Sequence, residues 1–180
     1  MADKIIIFSG KQYSGKDTLA KILLENMPDY HRCAMGDIIK LEYGREHNLT
    51  YEEIENNKAK YRQGLINLGN WGRCQSDDYW LKKIIAEEGN IMVTDVRVPF
   101  EYETFKKAGA TSIRIECPRE IRAQRGELIG EDDITETGLD NVLDWDFVIY
   151  NDSDLESLHK KAEELMEKLK WWNILQAHLL

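Results

Sequence analysis

Apolar residues fall in short continuous runs at Ile5-Ile6-Ile7-Phe8, Ile91-Met92-Val93-Thr94, Thr111 to Glu116 and Phe147-Val148-Ile149-Tyr150. Each run has the length of a strand and is bounded by polar residues or glycine, which predicts strands buried on both faces. Tyr30 to Met35 supplies a fifth, more polar strand. Between the runs, apolar positions recur every three or four residues. Leu19, Ile22 and Leu23 share a face after Gly15, and the helix they predict ends at about Asn26, before Pro28-Asp29. Gly36-Asp37 opens a short helix through Leu41. Thr50, with Glu53 three residues on, caps another. Tyr61, Leu65 and Leu68 predict a helix over Lys58 to Trp71, and Asp77 caps the next, which carries Trp80, Leu81 and Ile84. Pro99 and Gly109 suit the start and end of a helix through Tyr102 and Phe105. Leu155, Leu158, Ala162, Leu165 and Leu169 line one side of a long final helix.

Strands alternate with helices along the whole chain. The expectation is an α/β fold, a five-stranded parallel sheet in a three-layer arrangement with helices on both faces. At 180 residues this is one domain spanning 1–180. Ligands of such sheets bind beyond the C-terminal ends of the strands. Gly10 to Thr18, Asp37, Asp95 to Arg97 and Asn151-Asp152 all fall there.

The first of these stretches carries the most chemistry. Gly10, four residues, Gly15 and Lys16 have the spacing of a phosphate-binding loop, between an apolar strand and an amphipathic helix. Such a loop turns backbone N–H groups inward, and the helix start adds its positive end. Gly10, Lys11, Ser14, Gly15, Lys16, Asp17 and Thr18 are therefore expected to hold ATP, with Asn151 beside them. Lys16 reaches the β- and γ-phosphates as a mobile charge. Asp17 stands where Ser or Thr usually holds Mg²⁺, and a carboxylate also serves a hard cation. Asp95, at the end of a strand, is the second expected Mg²⁺ residue.

Charge narrows the partners. A net charge of −9 argues against a nucleic-acid polymer or an anionic membrane surface. Cationic groups near the strand ends must then be local devices. Arg97 suits a substrate phosphate, and Arg73 is expected beside it. Asp37 is placed on the same acceptor side. Arg119, Arg122 and Arg125 lie at helical spacing after Pro118, before a polar, glycine-punctuated stretch, 126–140, that reads as a mobile loop. Together, 118–140 are expected to form a lid whose Arg122 and Arg125 close on the ATP phosphates. Each arginine also has an ordinary reading as a solvated surface residue. Cys33, Cys74 and Cys117 lack metal-type spacing and read as buried, reduced thiols of a cytoplasmic protein. No signal peptide is visible and no apolar run is long enough to span a membrane. The tail Trp171 to Leu180 is expected to cap the core or to pair with another chain.

A GTPase switch is excluded by its missing signatures. The Asn57-Lys58 pair is followed by Ala59-Lys60, and no Asp has a Gly three residues later. A non-catalytic nucleotide-binding module stays open beside a kinase.

The loop Gly10 to Thr18 resembles the Gly-Lys-Asp-Thr variant of phage and bacterial deoxynucleoside monophosphate kinases. Leu68-Gly69, Trp71-Gly72-Arg73, Asp78-Tyr79-Trp80-Leu81 and Thr94-Asp95-Val96-Arg97 are similar to that family's central region. Ile134-Thr135-Glu136, Gly138-Leu139 and Val148 to Asp152 resemble its C-terminal portion, so the likeness covers about positions 4–158. Animal-type phosphomevalonate kinases resemble the chain too, through Gln124-Arg125-Gly126 and Gly138-Leu139-Asp140-Asn141. That group has paired arginines after the strand-end Asp, whereas Val98 follows Arg97 here. It also has an Arg where Asn67 stands. Fewer cations favour a nucleotide acceptor, for which Trp71, Tyr79 and Trp80 are available to stack. The resemblance implies a nucleoside-monophosphate-kinase-like fold, ATP with Mg²⁺, and transfer of the γ-phosphoryl to a phosphorylated small molecule. That acceptor is a (deoxy)nucleoside monophosphate or, alternatively, phosphomevalonate.

Overall fold

The structure, a computed structural model, describes residues 2–177. Five strands form one sheet: β1 (Lys4–Ser9), β2 (Tyr30–Cys33), β3 (Asn90–Val93), β4 (Thr111–Glu116) and β5 (Phe147–Tyr150). Their order is β2-β3-β1-β4-β5 and every pairing is parallel, as expected. Ile5 pairs with Ile91 and Phe8 with Ile113, so the two most apolar neighbours flank the central strand.

Alternation along β1 divides the core. Ile5 and Ile7 face α2 (Met35–His47), α5 (Tyr79–Ile85) and α6 (Pro99–Lys107), where Ile38, Trp80, Leu81 and Phe105 pack. Ile6 and Phe8 face α1 (Lys16–Asn26) and α9 (Leu155–Ala177), through Leu19, Leu23, Leu158 and Leu165. With both faces covered, the strand has no polar side to show, which explains its unbroken apolar run. Each fully buried Ile, Leu or Phe contributes about 1.5–3 kcal/mol.

Several boundaries differ from the sequence reading. β2 ends at Cys33, and α2 starts at Met35 and runs on to His47. The capping box of α3 (Tyr51–Asn56) forms as expected, with Thr50 and Glu53 bonded reciprocally. α4 extends over Lys58–Gln75. α5 is entered through Asp78 rather than Asp77; the Asp78 side chain makes no cap hydrogen bond and instead binds Ser76 Oγ and, at 2.9 Å, Lys82 Nζ. After α7 (Arg119–Arg125), the stretch read as a loop contains a helical turn, α8 (Ile134–Thr137). The Asp133 carboxylate accepts from the Thr135 N–H at 2.8 Å and starts that turn. Four residues are too few to leave a periodic pattern.

Trp172 packs edge-on against Phe147, with ring centroids 5.7 Å apart, whereas Trp171 is exposed. Leu179 and Leu180 lie outside the described residues. The three cysteines are free, but only Cys33 is buried; Cys74 is exposed and Cys117 half-buried, which corrects the expectation of three buried thiols. Among the described residues, no helix is long and apolar enough to cross a membrane.

Candidate active site

From Ser9 at the end of β1 the chain turns through Gly10 to Gly15 and enters α1 at Lys16. Tyr13 and Gly15 take positive φ, 58° and 95°. Gly15 is required twice over. Its backbone is left-handed, and a Cβ there would lie 2.2 Å from Asn151 Nδ2. That amide, reaching in from just beyond β5, donates to Ser14 O at 2.8 Å and holds the loop. The first N–H to find a helical partner is that of Leu19, on Gly15 O. Among the described residues the N–H groups of Lys16, Asp17 and Thr18 therefore open α1 without a backbone partner, a ready anion site.

In front of them lies a cavity of about 700 Å³, within the range of small-molecule sites. Lys16, Asp17 and Thr18 form one wall, Arg97 and Arg125 close over it, and the turn at Asn151 to Leu155 completes it. Burial pushes the Lys16 ammonium below its ordinary pKa. Asp17, 3.8 Å away, acts in the opposite sense, as do Glu136 and Asp95. A buried lysine whose ion pair, with Asp17, is a long one keeps its ammonium free to meet phosphate oxygens. Ser14 Oγ is likewise buried without a hydrogen-bond partner among the described residues. This donor set fits a nucleoside triphosphate.

The three arginines of α7 point to different places. Arg125 reaches the cavity, where Nη1 donates to Tyr13 O at 3.3 Å and Nη2 to Ser153 O at 3.1 Å. Arg122 is buried behind the loop, with Nη1 on Gln12 O at 3.3 Å, and does not line the cavity. Arg119 points outward and binds Glu131. The expectation that Arg122 and Arg125 both face the ATP phosphates is corrected accordingly: Arg122 braces the loop from behind. Gly126 lies flat against the Tyr13 ring, where a Cβ would come within 2.2 Å of it. Lys11 also turns away from the cavity, to Asp140 at 2.7 Å.

The stretch after α7 is anchored from the far side of the loop. Glu136, on α8, accepts from the Gln12 N–H at 2.8 Å and from Arg97 Nη1 at 3.0 Å. Gln12 adds a pair of bonds to the Ile129 backbone. Sequence reasoning gave Glu136 no role. Its only trace there was membership of an Ile-Thr-Glu run.

On the acceptor side, Asp95 follows β3 and accepts from the N–H groups of Met35 and Gly36 at 3.3 and 3.5 Å, at the start of α2. Burial raises its pKa, and these N–H groups oppose that shift. Asp95 lines none of the large cavity, whereas Asp17 does. Among the described residues no three His, Cys, Asp or Glu gather as a metal cluster. A Mg²⁺ ion held by one or two carboxylates, with phosphate oxygens and water filling its octahedron, needs no such cluster. Asp17 and Asp95 fit that sparse role.

Asp37 is taken up internally. It binds Arg32, Lys40 Nζ at 3.2 Å and Tyr51 Oη at 2.7 Å, and lines no part of the cavity. Arg32, also held by Thr94 Oγ1 at 3.2 Å, borders with Asp17 and Thr94 a second hollow along α1. Sequence reading passed over Arg32 because it sits in the least apolar strand. Arg73, exposed on the last turn of α4, bonds to Asn70 and lies 4.0 Å from Met35 Sδ. The aromatic residues expected to stack on a base do not reach the cavity. Trp80 is core, its Nε1 on Gly69 O at 3.0 Å, and Trp71 packs edge-on against Tyr79.

This architecture belongs to the class of P-loop kinases that act on small molecules, and that class uses ATP. A family model described as phosphomevalonate kinase matches residues 8–111, and one described as deoxynucleotide monophosphate kinase matches residues 64–162. Each spans more than half of the chain, and the chain belongs to the P-loop kinases that these families describe. A UPF0200 protein from Sulfurisphaera tokodaii is 29% identical over 187 residues, covering 92% of this chain and 97% of the relative. A UPF0200/UPF0201 protein from Archaeoglobus fulgidus is 27% identical over 92% of this chain, which spans only 56% of that relative's length. Among solved structures, shikimate kinases from Aquifex aeolicus and Bacteroides thetaiotaomicron share the fold. Their TM-scores are 0.51 and 0.55, at 17% and 13% identity, each over 93% of this chain and 98% of theirs.

Proposed function

We propose that the protein transfers the γ-phosphoryl group of ATP to a phosphorylated small molecule, a (deoxy)nucleoside monophosphate. The observation that carries this reading is one cavity lined both by a phosphate loop with Lys16 and by Arg97. Two phosphate-binding devices in one cavity suit a donor and an acceptor that both carry phosphate.

ATP supplies the phosphoryl group; Asp17, with Asp95 at the end of β3, would hold a Mg²⁺ ion, which would supply charge neutralisation at the phosphates. The unpaired N–H groups of Lys16, Asp17 and Thr18 bind the donor phosphates. Lys16 follows the charge that develops on the transferred group, in a site dry enough for that contact to count. Arg97, aided by Arg73, holds the acceptor phosphate in line. Arg125 and the turn Asn151 to Leu155 enclose the rest of the donor. Segment 118–140 acts as the lid and excludes water, which would otherwise compete as acceptor.

The match to phosphomevalonate kinase over 8–111 favours a second reading with the same geometry and phosphomevalonate as acceptor. A panel of the four deoxynucleoside monophosphates, the ribonucleotides and phosphomevalonate, each with ATP and Mg²⁺, separates them by ADP release. Transfer to a nucleoside monophosphate is expected. Transfer to phosphomevalonate alone would replace the first reading with the second. ATP binding without any transfer would make the chain a nucleotide-binding module.

A further inference from the structure

We propose that Glu136 is a positioning residue that fixes the Arg97 guanidinium relative to the phosphate loop and so sets the acceptor phosphate in line with the donor. The inference rests on the phosphotransfer reading above and assigns a role to a residue outside the loop and the strand ends.

The geometry is specific. The Glu136 side chain is 3% exposed, and both carboxylate oxygens are engaged, one by the loop N–H of Gln12 and one by Arg97. The Lys16 ammonium also feels its charge. Glu136 thus bridges the donor loop and the acceptor-side arginine with one rigid planar group. Its own backbone is held on both flanks. Asp133 caps α8, and Gly138 lies against the strand-end chain, where a Cβ would come within 3.2 Å of Arg97 O. Among the described residues the Arg97 guanidinium has no other side-chain partner, and it is 34% exposed towards the cavity. One N–H is spent on Glu136, and the remaining edge is left for a phosphate, in a fixed plane. Without that tether a long arginine would lose its orientation and surrender binding energy to ordering.

Replacing the carboxylate by an amide leaves a single acceptor oxygen for two donors, and the amide N–H₂ then faces one of them. Calorimetric titrations with ADP and with each deoxynucleoside monophosphate, on wild type, Arg97→Ala, Glu136→Gln and the double variant, test the proposal. Both single variants are expected to weaken monophosphate binding by about tenfold, the scale of one charge-assisted hydrogen bond. ADP affinity should stay within about twofold, and the double variant should be no weaker than Arg97→Ala alone. A merely structural role would lower ADP and monophosphate affinity together. Should Glu136→Gln fail to fold, Glu136→Asp, which keeps the charge and retracts it by one methylene, is expected to give the same selective loss. Wild-type monophosphate affinity in the Glu136 variants, with Arg97→Ala weakened, would overturn the inference and leave the phosphotransfer reading standing. Failure of the wild-type protein to bind any monophosphate while binding ADP would instead sink the acceptor reading, and this inference with it.

Discussion

The two sides of the site are made in different ways. On the side proposed for the donor a continuous stretch, Gly10 to Thr18, supplies the site mainly from its backbone, and one amide from Asn151 pins it. On the side proposed for the acceptor single charged groups come from separate elements: Arg97, from beyond β3, lines the cavity and is held by Glu136 of α8, while Asp95, Arg32 of β2 and Arg73 of α4 stand outside the lining. The first design can change little, since its donors belong to every residue alike. The second can be retuned one side chain at a time. On the proposed reading, affinity for the donor and choice of acceptor are therefore separable.

The largest expected effect tests the donor half. Lys16→Ala should lower turnover by at least about a hundredfold through loss of a transition-state charge contact, with thermal unfolding close to wild type. Normal turnover in the folded variant would mean that the loop is not catalytic. Next, Arg97→Ala should raise the acceptor KM by about ten- to a hundredfold while the ATP KM stays nearly constant, as expected for a charged hydrogen bond to a group whose charge does not change. A selective rise in the ATP KM would interchange the two halves.

A smaller contrast lies in the carboxylates. Asp17→Asn should raise the Mg²⁺ concentration for half-maximal rate more than Asp95→Asn does, because Asp17 alone of the two lines the cavity. Asp95→Asn should also cost about 0.3–1 kcal/mol of stability by removing charge from the start of α2. An unaltered Mg²⁺ dependence in both variants would discard the assignment. Gly126→Ala should destabilise by about 1–3 kcal/mol, since its methyl group would overlap the Tyr13 ring, and Tyr13→Ala should relieve much of that loss. Calorimetric unfolding of the four proteins measures the cycle. The smallest effect concerns the core at the end of β2. Burial pushes the Cys33 thiol up to about 12, so it stays protonated at pH 8, whereas Cys74 is exposed. Mass spectrometry after brief alkylation should find Cys74 modified and Cys33 intact; early labelling of Cys33 would mean that the end of β2 is open.

The contrast also explains what the sequence could reveal. The sheet was legible because strands buried on both faces leave unbroken apolar runs such as Ile5 to Phe8. The donor loop was legible because its spacing is local. Glu136 was not, since nothing within α8 marks a glutamate that meets Gln12 and Arg97 more than thirty positions away. Asp37 was misplaced for the complementary reason. A strand-end carboxylate looks available until its three donors, Arg32, Lys40 and Tyr51, are seen in space. Arg122 and Arg125 share a helix and a spacing, yet three residues of rotation put one behind the loop and the other over the cavity.

The bond from Asn151 to Ser14 closes a span of 137 residues. A chain emerging from the ribosome delivers its phosphate loop long before the group that holds that loop. Until β5 has joined the sheet, the loop lacks its clamp and the cavity lacks the wall from Asn151 to Leu155. A firm nucleotide grip thus waits for Asn151, and a ribosome stalled before residue 151 would display a phosphate loop with little grip on ATP.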